Sequence, residues 1–454
     1  MKKICAIAIG KVLIFLGKIF KRGSVLPGNI ATKIDKNILH KFKLPKNVIA
    51  VTGSSGKGSI TNMLAATYRK MGYTVCHNSS GSNLNLGILT TLLENSSLTG
   101  KIKSDVVIVE VDERYTKYVF PALKPQTVVI TNLTRDQPPR QGNFDIVFRE
   151  IKKAITPDMH LILNADDPYL QKFVIGEENK VTYYGIEKNK YSTNKAKFEN
   201  LNLTYCPKCN HKLTYDFYHF ENIGGYRCEN CDFIHPDNDI SVSKINYENN
   251  TVILNDNTIL NIPFGMLFAI YNVLAAYTTL ILLDNDKEKI ASILNNTVEK
   301  AKHFNSFEEN DRVVYVLNNK NENSTTFNQS LLFIDRDKVP KTIVIGWREI
   351  SRRYNFNDLS WLYDINFELL SKHKIEKVVC IGPEQYDIAV RMKLAGIDTR
   401  KIVCFKIVED ATYYLKKKTK ENIYAILNFD LIDHFTSDMK EDLQWLELLI
   451  FTMI

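Results

Sequence analysis

Short β-branched runs alternate with helical patterns along most of the chain. Residues 48–52 are nearly all apolar and lead through a Gly/Ser turn into a helical pattern at 59–71. Residues 106–111, 127–132 and 160–164 repeat the apolar run, and helical patterns return at 266–283 and 287–294. Apolar strands separated by helices predict a parallel sheet covered on both faces. Near 200–240 the periodicity stops and aromatics, Gly, Cys and Asn take over, which predicts a small insert. A second alternation starts near 312, with strands at 313–317, 342–346, 377–382, 401–405 and 423–427 and a helix at 386–395. The expected organisation is an N-terminal helical segment (1–44), a central α/β domain (45–300) with an insert at 201–240, and a smaller doubly wound α/β domain (301–454).

Composition narrows the classes without choosing among them. Hydrophobic residues make up 44% of the 454 and charged residues 24%, which excludes a disordered, collagen-like or coiled-coil chain. The net charge of +8 fits an anionic substrate or a membrane surface and is too small to argue for nucleic acid. Residues 4–20 form an apolar stretch broken by Lys11 and Lys18, too interrupted for a bilayer span. It reads as a helix that packs on the body or lies at the inner membrane surface, in a protein of the cytoplasm. Cys5, Cys76, Cys380 and Cys404 sit in apolar runs and read as buried thiols.

Candidate chemistry gathers at strand ends. Thr52-Gly53-Ser54-Ser55-Gly56-Lys57-Gly58-Ser59 joins the first strand to a helix. Glycines let amides turn toward phosphate oxygens, the helix N-terminus adds partial positive charge, Lys57 reaches terminal phosphates, and Ser59 can hold Mg2+. Only two residues separate Gly53 from Gly56, so the strict Walker A spacing fails. Glu110, in Glu110-Val111-Asp112-Glu113, ends another strand on the expected ligand rim, where a carboxylate can hold Mg2+. Asn132, Asn164 and Asp166 end two more strands and are candidate nucleotide contacts. Cys206-x-x-Cys209 and Cys228-x-x-Cys231 are knuckles whose spacing predicts a closed structural Zn2+ site. Tyr215, Phe217, Tyr218, Phe220 and Tyr226 between them read as the core of that module.

These pieces resemble the Mur ligases of peptidoglycan synthesis, most closely the MurT-type subunit of lipid II isoglutaminyl synthase. The resemblance runs through residues 24–28, the Thr-Gly-x-x-Gly-Lys loop, Gly81-Ser82-Asn83-Leu84, the Glu110 run, Thr131-Asn132 with Arg135-Asp136-Gln137, and residues 164–168. The four-cysteine insert and Asp358-Leu359-Ser360-Trp361-Leu362-Tyr363-Asp364 extend it. It implies a Mur-ligase-like central domain, a Rossmann-like C-terminal domain, and a separate GatD-type glutaminase partner that supplies ammonia. The implied reaction uses ATP and Mg2+ to activate the α-carboxylate of D-glutamate in the lipid II stem peptide and amidates it. In that pattern Glu110 binds Mg2+, Asn83 lies near substrate, and Asp358 is functionally required, with Asp364 the second candidate. Four places depart from the pattern, one of them Asn428-Phe429-Asp430, where the family has T-Y-T-A. Gly58-Ser59 is similar to folylpolyglutamate synthases, Ser306 stands where the family has arginine, and Glu322 where it has lysine. The departures keep two alternatives open: a ligase joining an amino acid to a carboxylate, and a catalytically weakened scaffold subunit.

Overall fold

The structure, a computed structural model, describes residues 1–19, 25–79, 81–134, 144–197, 204–282, 286–298, 304–319, 323–347 and 358–440. Two compact units are formed, one by residues 1–134 and 144–299, the other by 135–143 and 300–454. Ser24, Arg135, Asp136, Gln137 and Glu322 lie outside the described residues.

The first unit is built on a nine-stranded sheet. Its parallel part begins with β1 (Asn47–Thr52), β2 (Val75–His77), β3 (Val106–Glu110), β4 (Thr127–Ile130), β5 (His160–Asn164) and β6 (Val181–Ile186), and a later strand joins it beside β6. After the hairpin β7 (Leu213–Phe220) and β8 (Ile223–Cys228), the strands β9 (Ile240–Asn246), β10 (Thr251–Leu254) and β11 (Ile259–Asn261) complete the order β11-β10-β9-β6-β5-β4-β1-β3-β2. Strand β1 therefore lies between β3 and β4, where the winding reverses and open α/β sheets bind ligands.

Alternation along the strands fills both faces. Val48, Ala50, Val107, Val109, Val128, Ile130, Leu161 and Leu163 pack in one core with residues of α4 (Asn85–Asn95), α5 (Thr116–Leu123) and α6 (Phe144–Ala154). The intervening Ile49, Val51, Ile108, Val129 and Ile162 are buried as fully. Against the sheet also lie α3 (Lys57–Lys70) and α7 (Leu267–Ile281), with α8 (Lys287–Asn295) beside them. Twelve residues of α7 are buried, so its sequence is apolar all round. The helices α1 (Lys2–Ile19) and α2 (Leu26–Ile34) pack on α4 through Ala6, Ile7, Ala31, Leu89 and Leu93. Cys76 and Cys380 are buried, but Cys5 is exposed and Cys404 only half-buried, correcting the expectation of four buried thiols. Cys5 lies on the side of α1 opposite the buried Ala6, Ile7 and Gly10.

The second unit has a six-stranded sheet of order β12-β13-β17-β14-β15-β16. The hairpin β12 (Phe304–Glu309) and β13 (Arg312–Asn319) is antiparallel, and β14 (Lys341–Gly346), β15 (Ile375–Ile381), β16 (Ile402–Phe405) and β17 (Asn422–Asn428) continue in parallel. Around it lie α9 (Ser324–Arg336), α10 (Gln385–Leu394), α11 (Val408–Lys418) and α12 (Phe429–Lys440). Ser306 is an exposed residue of β12, paired in register with Tyr315.

Candidate functional site

The loop leaving β1 is shaped by two glycines with positive φ, Gly53 (+123°) and Gly56 (+85°). A Cβ on Gly53 would stand 2.2 Å from Thr131 Oγ1, and one on Gly56 2.3 Å from Asn272 Oδ1. The left-handed Gly56 caps α3, so the helix begins at Lys57, two residues before the sequence pattern suggested, and Ser59 falls in its first turn. Asn132, at the end of β4, locks the loop. Its carbonyl accepts from Ser54 N at 2.8 Å, its Oδ1 from Ser55 N at 3.1 Å, and its Nδ2 donates to the Ser55 carbonyl at 3.2 Å. Ser54 Oγ accepts the Thr134 amide at 3.0 Å and donates to the Thr134 carbonyl. Asn132 thus shapes the phosphate loop through its own amide and carbonyl groups.

Lys57 Nζ turns back across the loop. It donates to the carbonyls of Gly53 and Ser54 and pairs with Glu113 Oε1 at 2.7 Å. Glu113 is 1% exposed, so the pair is largely out of water. Glu110 ends β3 beside the first turn of α3, with Oε2 3.2 Å from where a Cβ on Gly58 would be. Its Oε1 accepts from Asn83 Nδ2 at 2.9 Å, while Asn78 clamps the Glu110 backbone from both its amide and its carbonyl at 2.9 Å. Lys57, Ser59, Glu110 and Asn83 are therefore brought to one rim. A carboxylate oxygen over the first turn of a helix that carries a serine hydroxyl is a donor set suited to Mg2+. The amides of the glycine loop and the start of α3 suit nucleotide phosphates. Asn78 and Glu113 were not singled out by sequence. Glu113 was visible only as part of an acidic run, and Asn78 only as a polar residue just past a three-residue strand.

Asn164 and Asp166, at the end of β5, are held by protein partners of their own. Asn164 is 3% exposed, and its Oδ1 accepts the Asp166 amide at 3.1 Å. Asp166 is fully buried; Oδ1 bonds His235 Nε2 at 2.9 Å, and Oδ2 accepts from Tyr271 OH at 2.6 Å and Ile186 N at 2.8 Å. With its lone pairs taken by protein donors, the carboxylate serves as a junction between β5, β6, α7 and the insert. Next to it, burial pushes Asp167 up to about 7.

The insert lies between β6 and β9 and presents the hairpin β7–β8. Cys206, Cys209, Cys228 and Cys231 bring their sulfurs within 4.8 Å of one another, with Cys206–Cys231 at 3.6 Å and Cys209–Cys228 at 3.4 Å. Four thiolates around one Zn2+ stand about 3.8 Å apart, so the donor set fits a tetrahedral ion. Tyr226 and Phe233 pack beneath the sulfurs, and Tyr215 stacks on Tyr218 at 4.4 Å. The Tyr226 hydroxyl donates to the Ala165 carbonyl at 3.0 Å, and Gly224 N to the Asp166 carbonyl at 2.9 Å.

In the second unit Asp358 is half-buried, and its Oδ1 accepts the Ser360 amide at 2.9 Å. A short 3-10 helix, Ser360–Asp364, follows. Trp361 anchors it against Phe327 and Trp347, at ring distances of 5.2 and 5.3 Å. Asn328 Nδ2 reaches the Asp364 carbonyl at 3.4 Å, and its Oδ1 accepts the Asn366 amide at 2.9 Å. Arg391, from α10, donates to the carbonyls of Leu362 (3.1 Å) and Ile365 (2.6 Å) and pairs with Glu368 at 2.9 Å. The segment carrying Asp358 and Asp364 is thus held by partners distant in sequence.

Comparison with known proteins agrees with this anatomy. The Mur ligase middle domain matches residues 51–231, and the MurT ligase C-terminal domain matches residues 320–431. The subunit MurT of lipid II isoglutaminyl synthase (glutamine-hydrolyzing) from Streptococcus pneumoniae (strain ATCC BAA-255 / R6) is 28% identical over 422 residues, 91% of this chain and 92% of that one. Its counterpart from Staphylococcus aureus (strain COL) is 28% identical over 385 residues, 84% and 85% of the two chains. Among solved structures, a pseudomurein peptide ligase type C from Methanothermus fervidus shares the fold with a TM-score of 0.65 at 21% identity, over 90% of this chain and 83% of that one. MurF ligase from Thermotoga maritima, solved in complex with ADP, gives 0.58 at 15% identity, over 91% and 84%. A Mur ligase middle domain and a MurT C-terminal domain in one chain, with relatives aligned along nearly all of it, lead to one conclusion: the chain belongs to the MurT-type branch of the Mur ligase family, a family of ATP-dependent ligases.

Proposed function

We propose that this chain is the ATP-using subunit of a two-subunit amidotransferase. It converts the α-carboxylate of D-glutamate in the lipid II stem peptide to the amide, leaving D-isoglutamine. The observation that carries the reading is the convergence of Lys57, Glu110 and Asn83 at the ends of β1 and β3. The alignment with relatives named as MurT subunits gives that site its substrate class.

A carboxylate is a poor electrophile. In the proposed sequence its oxygen attacks the γ-phosphorus of ATP, the bond to the β-phosphate bridging oxygen breaks, and ADP leaves. Ammonia then attacks the carbonyl carbon, phosphate departs, and the nitrogen loses a proton. The amides of residues 53–58 and the start of α3 hold the phosphates, and Lys57 neutralises charge that grows on the transferred group. Release from Glu113 and the loop carbonyls is the step that frees its ammonium for that task. Glu110 and Ser59 would hold Mg2+, which supplies charge neutralisation between the phosphates, and Asn83 stands where it can orient the substrate. Asp358, with Asp364 six residues on as the second candidate, is assigned to the amidation step. Cys206, Cys209, Cys228 and Cys231 would hold a structural Zn2+. No nucleic-acid role is assigned.

The ammonia comes from a GatD-type glutaminase subunit. Tyr386 (69% exposed), Val390 (52%) and Leu394 (63%) make an apolar stripe on α10, in the unit that carries Asp358, and support a protein partner there. The reaction belongs to the cytoplasm, with a substrate held at the inner membrane face. Among the described residues no helix is long and apolar enough to cross a membrane.

The test is co-expression with the glutaminase subunit, incubation with ATP, Mg2+, glutamine and lipid II, and mass spectrometry of the stem peptide. Carboxyl-to-amide conversion that is lost in Lys57→Ala and Asp358→Asn is the expected result. A folded, partner-bound complex that converts nothing overturns the reading. Attachment of a free amino acid without ammonia would instead establish a peptide-forming ligase.

A further inference from the structure

Among the described residues, the outward side of α1 has no partner. Ala6, Ile7 and Gly10 are buried against the body. At 100° per residue the opposite side carries Ile4, Ile9, Val12, Phe15, Leu16 and Ile19 over an arc of about 140°. All six are exposed, with Val12 at 58%, Phe15 at 66% and Ile19 at 60%. An apolar helix side that faces water in an otherwise packed unit marks an interaction surface. Charge decides which kind. Lys11 and Lys18 border the arc on one side and Lys2 on the other, and residues 1–34 hold seven lysines and arginines and no aspartate or glutamate. Glu94 is the acidic group beside this border: Lys11 donates to its carbonyl at 3.2 Å and the exposed Lys18 pairs with its carboxylate at 2.5 Å, a surface contact that water and headgroups can replace.

We propose that α1 lies in the plane of an anionic lipid surface, its outer apolar side among the acyl chains and its flanking lysines at the headgroups. The same helix packs on α4 through Leu89 and Leu93, and α4 starts two residues after Asn83. An eleven-residue helix is about 16 Å long, so the lipid-facing surface lies about one short helix from the substrate rim. The use of this surface rests on the lipid-linked substrate proposed above; the binding does not.

The experiment is co-sedimentation of the full chain with vesicles of phosphatidylglycerol mixed with phosphatidylcholine, and of phosphatidylcholine alone, at low and high salt. The chain is expected to partition onto the anionic vesicles and to be released by salt. The double substitution Val12→Glu with Phe15→Glu changes exposed residues only, and is expected to lower partitioning about tenfold with an unchanged circular dichroism melt. Lys2→Gln with Lys18→Gln is expected to weaken binding to anionic vesicles alone. Absence of vesicle binding by the wild-type chain overturns the proposal. So does a dimer in solution that Phe15→Glu separates, which would make a second copy the occupant. Loss of glutaminase co-purification in the double variant with vesicle binding intact would overturn it in favour of a protein partner. Amidation of a short-chain, water-soluble lipid II analogue by the double variant keeps this result distinct from a failure of the enzymatic reading.

Discussion

Lys57 stands between two sets of oxygens. In the structure its ammonium is satisfied by Glu113 and two loop carbonyls. Lys57→Ala should lower amidation about a thousandfold, and Lys57→Arg should not restore it, because a planar guanidinium cannot occupy the same point beneath the loop. Glu113→Gln leaves the ammonium its carbonyl partners, and should change KM for ATP more than kcat; steady-state kinetics at varied ATP would read this. Asp167 offers a pH test. Burial holds it protonated up to about 7, against about 3.9 in an unfolded chain. Between these values the folded state binds the extra proton, so this group's contribution to stability falls as pH rises from about 4 to about 7. Asp167→Asn should remove that slope and be the more stable form at pH 8; thermal melts of both chains across pH would show it. The glycine loop, Lys57 and the four cysteines were legible as residues because spacing along the chain defines their geometry. Asn328, Arg391, His235 and Tyr271 were not, because each finds its partners across at least 23 residues and nothing local marks it.

At the scale of elements, the β7–β8 hairpin is a module too small for a core of its own, and its four sulfurs crown only a few buried rings. Metal binding by such a module is folding free energy. Cys228→Ser, or a strong chelator, should therefore loosen the hairpin and break the Tyr226–Ala165 and His235–Asp166 ties. Hydrogen exchange would show loss of protection in both β8 and β5, and an unchanged β5 would refute the coupling. Arg391 makes a second case. Arg391→Met removes donors to two carbonyls of the segment that carries Asp364, and should cost about 2 to 4 kcal/mol while lowering amidation. The strands β1, β3, β4, β5, β14 and β17 were readable because buried parallel strands are continuous apolar runs. The outer strands β9 to β11 were hidden: β10 and β11 are short, Asn and Asp turns interrupt the run, and polar residues break the apolar pattern of β9, so the stretch resembles loop.

The two units are each built on a main sheet with its own core, and unfolding need not be a single transition. Of the chain's three tryptophans, the two among the described residues, Trp347 and Trp361, belong to the second unit. Tryptophan fluorescence should thus follow that unit alone, while circular dichroism follows both. A non-hydrolysable ATP analogue with Mg2+ should raise the melting temperature of the first unit, by about 2.7 kcal/mol of stabilisation at a hundredfold excess over Kd. An analogue that shifted only the fluorescence transition would move the nucleotide site out of the β1 loop. The layered α/β architecture was visible from periodicity, whereas the exposed side of α1 was not, because an apolar run does not say which of its faces the body will leave uncovered. That side has a kinetic consequence. An enzyme resting on the surface in which its substrate diffuses searches an area instead of a volume. Its turnover then follows molecules per unit of membrane, and a cell could slow it by diluting the lipid without altering a single catalytic group.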